Sequence, residues 1–208
     1  MTALKPAVLI GGVPRIGKTR IAERLADLPG FDVVHCDRFR QSFWSIRDEQ
    51  QRSAERLRCY DELIAERCGG LIVEGDDLIF RNRGETSLAK LKLISNDHRL
   101  SLELMKHLRD RCGAGAFVAG CIEADPESVE AAIRRHETET CFTKALSSEG
   151  WKGFIRNAME RSRKLMLMAS QEGITYLEMG AADFDTAIEM AATRILQEMH
   201  SPDSAGTA

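Results

Sequence analysis

Gly12-Val13-Pro14-Arg15-Ile16-Gly17-Lys18-Thr19 follows the apolar run Ala7-Val8-Leu9-Ile10 and is a complete G-x-x-x-x-G-K-[ST] phosphate loop. Downstream, Ile21, Leu25 and Leu28 stand at helical spacing, so the motif has the strand–loop–helix setting it needs. The residue types follow from the chemistry. Gly12 and Gly17 let backbone N–H groups converge on phosphate oxygens. The helix that starts at the loop turns its positive end to the same anion. Lys18 has the reach for the outer phosphates, and the Thr19 hydroxyl can ligate Mg²⁺. The candidate nucleotide-contacting residues are therefore Gly12 through Thr19, with Arg20 on the opening turn of the helix.

Working outward, four more strand-like runs follow Val8–Ile10: Val33–His35, Leu71–Glu74, Ala116–Cys121 and Thr175–Glu178. Helical patterns separate them. Leu57, Tyr60, Ile64 and Cys68 form one stripe, and Leu104, Met105, Leu108 and Cys112 another. Asp125-Pro126 reads as a helix start, with Asp as the cap and Pro at the first helical position; Val129, Ala132, Ile133 and His136 line that helix. A longer pattern runs from Trp151 to Ala169, and a last one carries Phe184, Ile188, Ala191 and Ile195. Nearly wholly apolar strands alternating with helices imply a parallel sheet covered on both faces. Residues 1–200 read as a single α/β domain and 201–208 as a small, polar, disordered tail. The stretch 137–150 is polar and without a clean period, which suits a small lid or an ordinary surface loop.

A chain of 208 residues, 43% hydrophobic and 29% charged, has the make-up of a soluble globular domain. Its net charge of -3 argues against general nucleic-acid binding. No apolar run approaches the roughly 20 residues of a membrane span, and no signal-peptide pattern precedes the phosphate loop. The six cysteines form no C-x-x-C pair and read as reduced core thiols, so a cytoplasmic location is expected.

Two acids end strands. Glu74 closes Leu71-Ile72-Val73 and can hold Mg²⁺ directly or through water, with Asp76 and Asp77 as neighbours able to take that role. Gly75 after it would allow a close approach of backbone or ligand. Asp37 closes the second strand. It is either the base for an attacking hydroxyl or the cap of the segment that follows. In that segment Phe39, Phe43 and Trp44 interleave with Arg38, Arg40 and Arg47, either as one packed helix face or as an aromatic pocket wall with a cationic rim. Arg81 and Arg83 are candidates for a substrate carboxylate or phosphate. His35, inside a strand, reads as a hydrogen-bonded core histidine, and Leu165-Met166-Leu167-Met168 as core or dimer surface.

Together, the phosphate loop, Val33-Val34-His35-Cys36-Asp37, Leu71-Ile72-Val73-Glu74-Gly75 and Asp125-Pro126-Glu127 with Arg134-Arg135 resemble the P-loop small-molecule kinases. This group includes adenylate, shikimate and gluconate kinases and chloramphenicol phosphotransferase. The resemblance implies a three-layer fold with strand order 2-3-1-4-5 and a small lid. It implies ATP and Mg²⁺, with Mg²⁺ between Thr19 and Glu74 and adenine near Met179–Asp183. It implies transfer of a phosphoryl group to a small-molecule acceptor. In this pattern Lys18, Asp37, Arg134 and Arg135 carry catalysis, and Asp37, Arg40, Phe43, Glu74 and Arg81 surround the acceptor. The alternative is an ATPase or nucleotide switch that acts on a protein partner. The chain lacks an N-K-x-D guanine-specificity motif.

Overall fold

A computed structural model describes residues 7–27, 30–36, 45–66, 69–75, 105, 108–110, 115–123, 125–135, 142–180 and 183–200. Five strands, β1 (Ala7–Gly12), β2 (Phe31–His35), β3 (Gly70–Glu74), β4 (Gly115–Gly120) and β5 (Thr175–Glu178), form one sheet. Every pairing is parallel and the order is β2-β3-β1-β4-β5, as the resemblance implies. Parallel pairing requires crossovers, and among the described residues α1 (Lys18–Ala26) connects β1 to β2, α2 (Glu49–Glu66) connects β2 to β3, and α3 (Pro126–Arg135) with α4 (Ser148–Gln171) connects β4 to β5, while α5 (Phe184–His200) follows the last strand.

Burial follows strand position. Central strands β1 and β3 are buried throughout, which is why their sequences are continuous apolar runs. Leu9, Ile10, Ile72 and Val73 are fully buried, each contributing at most about 1.5–3 kcal/mol of transfer free energy. The two outer strands, β2 and β5, are only partly covered. On one face α1 and α5 pack against each other and against the sheet; on the opposite face α4 lies over β4 and β5 and carries α3. The α4 face that is buried consists of Trp151, Ile155, Ala158, Met159, Ser162, Leu165 and Ala169, close to the expected stripe. Helical phase splits the Leu165–Met168 cluster, with Leu165 in the core and Met166 and Leu167 exposed.

The helix starts are chemically marked. The Asp125 carboxylate accepts from the Ser128 amide at 2.9 Å, so the expected cap of α3 is in place. Ser147 caps α4 by accepting from the Gly150 amide at 3.1 Å. Helix α4 therefore begins inside the range 137–150, after a 3₁₀ turn at Phe142–Ala145, while 137–141 lie outside the described residues. Among the described residues no helix is long and apolar enough to cross a membrane. Cys36, Cys59 and Cys121 are free thiols.

Candidate nucleotide site

In register, Ile10 of β1 sits beside Glu74 of β3, and Glu74 sits beside His35 of β2. On the other side of β1, Gly12 sits beside Ala119 of β4. This alignment brings the phosphate loop, Glu74 and His35 to one carboxyl-end edge, where open α/β sheets bind their ligands.

The loop is held by the sheet and by α5. The Val13 amide donates to the Ala119 carbonyl at 3.2 Å, and Val13 and Ile16 are buried. Gly12 has φ 143° and Gly17 has φ 95°. A Cβ built on Gly12 would stand 2.1 Å from the Ala119 carbonyl oxygen, and one on Gly17 would meet the side chains of Ile188 and Phe184. Gly12 is therefore required by the fold's own packing and Gly17 by its left-handed backbone, in addition to the room an anion needs. Arg15 also has a left-handed backbone, φ 66°. Gly17 caps α1 without any side-chain hydrogen bond, so the first amides of α1 are not taken by a capping side chain.

Lys18 is only 6% exposed, and its ammonium donates to the Val13 carbonyl at 2.7 Å, arching back over the loop. Beside it, the Thr19 hydroxyl donates to Glu74 Oε1 at 3.2 Å. Glu74 is 5% exposed, and the same oxygen lies 2.6 Å from His35 Nδ1. Gly75 has φ 152°, and a Cβ there would lie 2.7 Å from Cys36 Cβ, so close packing against Cys36, directly after β2, demands this glycine. Its amide donates to the Ile10 carbonyl. Cys36 in turn accepts from the Tyr60 hydroxyl of α2 at 2.7 Å, which ties the end of β2 to that helix.

The remaining candidates separate. The Arg20 side chain pairs with Glu23 on the exposed face of α1. Arg134 pairs with Glu130 at 2.7 Å, and its guanidinium lies 4.1 Å over the buried Trp151 ring. Arg135 is exposed and stands within electrostatic reach of Asp183 at the start of α5. The Asp183 carboxyl is held below its ordinary range, first by hydrogen bonds from Thr186 and to a smaller degree by the Arg135 charge. Asp37, Arg40, Phe43, Arg81, Asp76 and Asp77 lie outside the described residues.

Two features at this edge had no clear sequence signal. Glu178 accepts from the Ile122 amide at 2.9 Å and the Gly180 amide at 2.7 Å, and so fixes the loops after β4 and β5 to each other. His35 carries a hydrogen bond, as expected, but to the strand-end acid rather than within the core. Nearby, burial pushes the Cys121 thiol up to about 11, the Ser162 hydrogen bond opposing it, which leaves it unreactive at neutral pH.

The donor set fits Mg²⁺. Thr19 and Glu74 offer hydroxyl and carboxylate oxygens at one point, and Mg²⁺ at phosphoryl-transfer sites is held by one or two protein oxygens plus substrate phosphates. Among the described residues, no group of three or more His, Cys, Asp or Glu could hold a metal by itself.

Comparison of the coordinates with solved structures gives matches over nearly the whole chain. A shikimate kinase from Bacteroides thetaiotaomicron aligns with 93% of this chain and 97% of its own, at TM-score 0.55 and 14% identity. The shikimate kinase of Acinetobacter baumannii, solved in complex with shikimate, aligns with 95% and 96% at TM-score 0.52 and 13% identity. Polyphosphate kinase 2 of Arthrobacter aurescens TC1 aligns with 95% of this chain and 69% of its own, at TM-score 0.56 and 12% identity. The fold is that of the P-loop kinases. A scan against protein-family models finds no match, and neither does a sequence search of curated proteins.

Proposed function

We propose that this protein is an ATP-dependent phosphotransferase that moves the γ-phosphoryl group of MgATP to a small-molecule acceptor. The observation that carries the reading is the Thr19–Glu74 hydrogen bond at the foot of the phosphate loop, 3.2 Å long, with Lys18 buried beside it. An oxygen-donor pair next to the Lys18 ammonium and the start of α1, where no side chain caps the first amides, is the equipment phosphoryl transfer needs, since that reaction is mostly positioning and charge neutralisation. The likeness in fold to kinases of small molecules supports the same reading.

In this reading the loop amides and Lys18 bind and orient the triphosphate. Thr19 and Glu74 would hold Mg²⁺, which supplies charge neutralisation at the transferring group. Asp37, directly after Cys36, takes the proton of the acceptor hydroxyl, and Arg40, Phe43 and Arg81 shape the acceptor pocket. Adenine rests near Met179–Asp183, where Arg135 adds positive charge. Lid closure over 137–150 excludes water from the transfer.

The test is ATP consumption against a panel of hydroxyl- and phosphate-bearing metabolites, with Lys18→Ala beside the wild type. Stimulation by one metabolite class, lost by about 10²-fold or more in Lys18→Ala, is expected. Stimulation by a protein partner and by no metabolite would overturn the acceptor assignment. Equal nucleotide affinity and turnover in both proteins would overturn the reading as a whole.

A further inference from the structure

We infer that His35 is a positioning residue for Glu74: its Nδ1–H fixes the carboxylate so that the Thr19–Glu74 pair is set for a divalent cation before nucleotide arrives. This deepens the proposed function and rests on it. The inference starts from the register, in which His35 at the last position of β2 lies directly beside Glu74 at the last position of β3. Neither ring nor carboxylate needs to bend out of its strand to meet the other. Nδ1 is 2.6 Å from Oε1, the His35 side chain is 23% exposed, and that of Glu74 is 7% exposed.

The direction of the bond follows from inventory. An ionised carboxylate has no proton to give, so Nδ1 carries the hydrogen and donates. The Thr19 hydroxyl donates to the same oxygen. Oε1 is thus held by two donors from two different elements, β2 and α1. Thr19 keeps its lone pairs, since its one proton is committed to Glu74. With the Thr19 contact alone, one donor rather than two would set the angle at which the buried carboxylate presents its oxygens. Groups that orient a metal-binding side chain in this way typically change metal affinity by about 10–100-fold when removed.

Three substitutions separate the role from mere packing. His35→Val removes the donor but suits a strand end. His35→Asn places an amide N–H near the position of Nδ1, and His35→Gln places it near that of Nε2. The readout is the affinity of a fluorescent N-methylanthraniloyl-ATP, titrated in magnesium chloride and in EDTA. The ratio of the two affinities measures the gain from magnesium. His35→Val is expected to lose about tenfold or more of that gain, with affinity in EDTA unchanged. His35→Asn should restore most of the gain, and His35→Gln should not. Melting temperatures of Asn and Gln variants should agree, so the contrast between them cannot come from folding.

A magnesium gain kept in His35→Val, or a gain larger than wild type, would overturn the inference and leave the proposed function standing. Equal behaviour of Asn and Gln variants would do the same. A wild-type protein that shows no magnesium gain would overturn both.

Discussion

Thr19 Oγ1 and Glu74 Oε1 stand 3.2 Å apart although 55 positions separate them in the chain. Strand β1 makes this possible, because it delivers the loop and α1 on one side of an edge where β3 already ends. The pair predicts a specific division of effects. Thr19→Val removes the hydroxyl without changing side-chain shape. It should lower magnesium-dependent turnover by about 10²-fold or more while nucleotide affinity in EDTA stays within about threefold. Glu74→Gln, also near-isosteric, should resemble it. Steady-state kinetics over a magnesium series, with equilibrium titrations in EDTA, checks both; a Thr19→Val enzyme with wild-type magnesium dependence would remove the pair from the site.

Gly12 should be far less replaceable than Gly30, for a reason separate from ligand binding. Both have positive φ, 143° and 86°, yet a Cβ on Gly30 meets nothing within 4 Å, whereas one on Gly12 runs into the Ala119 backbone. Gly30→Ala should cost only the left-handed backbone penalty of about 1–2 kcal/mol. Gly12→Ala adds overpacking against a rigid strand, for about 3 kcal/mol or more in sum. For a chain of this size that is a melting temperature lower by roughly 6–12 °C, measured without nucleotide by calorimetry.

The Cys121 thiol gives a pH signature. Burial raises it from an ordinary 9.0 to about 11, so the native state keeps its proton where the unfolded chain has lost it. The unfolded state then binds fewer protons, and stability falls as pH rises. The contribution is fully present below about pH 9 and is lost on the way to about pH 11. Tyr176, raised first by burial and next by the neighbouring Glu178 charge, acts in the same direction. Urea unfolding across this window should show the decline, and Cys121→Ala should flatten part of it. Peptide-resolved alkylation of the native protein at pH 8 should leave Cys121 unmodified.

How far this was readable from sequence depends on the range of the interaction. The phosphate loop, the five strands and the strand-end acid Glu74 are local patterns, and apolar runs such as Leu71-Ile72-Val73 announce central strands directly. The strand order came from a family likeness, because periodicity sets a strand's faces but never its neighbours. For that reason the His35–Glu74 contact was out of reach: it exists only through the register of β2 on β3. The packing role of Gly12 was hidden similarly, since Ala119 is its partner only once β4 lies beside β1. A different kind of signal was present for Arg134. Glu130 stands four residues before it on a helix, the spacing at which such pairs engage, and this marks Arg134 as tied to its own helix.

That tie gives the last prediction, which divides two adjacent arginines. Arg134 lies over the buried Trp151 ring and is paired with Glu130, so it links α3 to α4. Arg134→Ala should lose a cation–π contact of about 0.5–1 kcal/mol, with a further few tenths from the exposed pair, and lower the melting temperature by about 2–4 °C. Turnover should stay close to wild type, because the side chain is already committed. Arg135 lies one helical step round, exposed and within reach of Asp183 near the expected adenine position. Arg135→Ala should leave stability within about 0.5 kcal/mol of wild type, as surface substitutions do. It should weaken ATP binding or turnover by about tenfold, the loss of one charge-assisted contact. Thermal melts and ATP titrations on the two single variants decide the assignment. A loss of turnover in Arg134→Ala with full activity in Arg135→Ala would reverse it and require Arg134 to leave Trp151 when nucleotide binds.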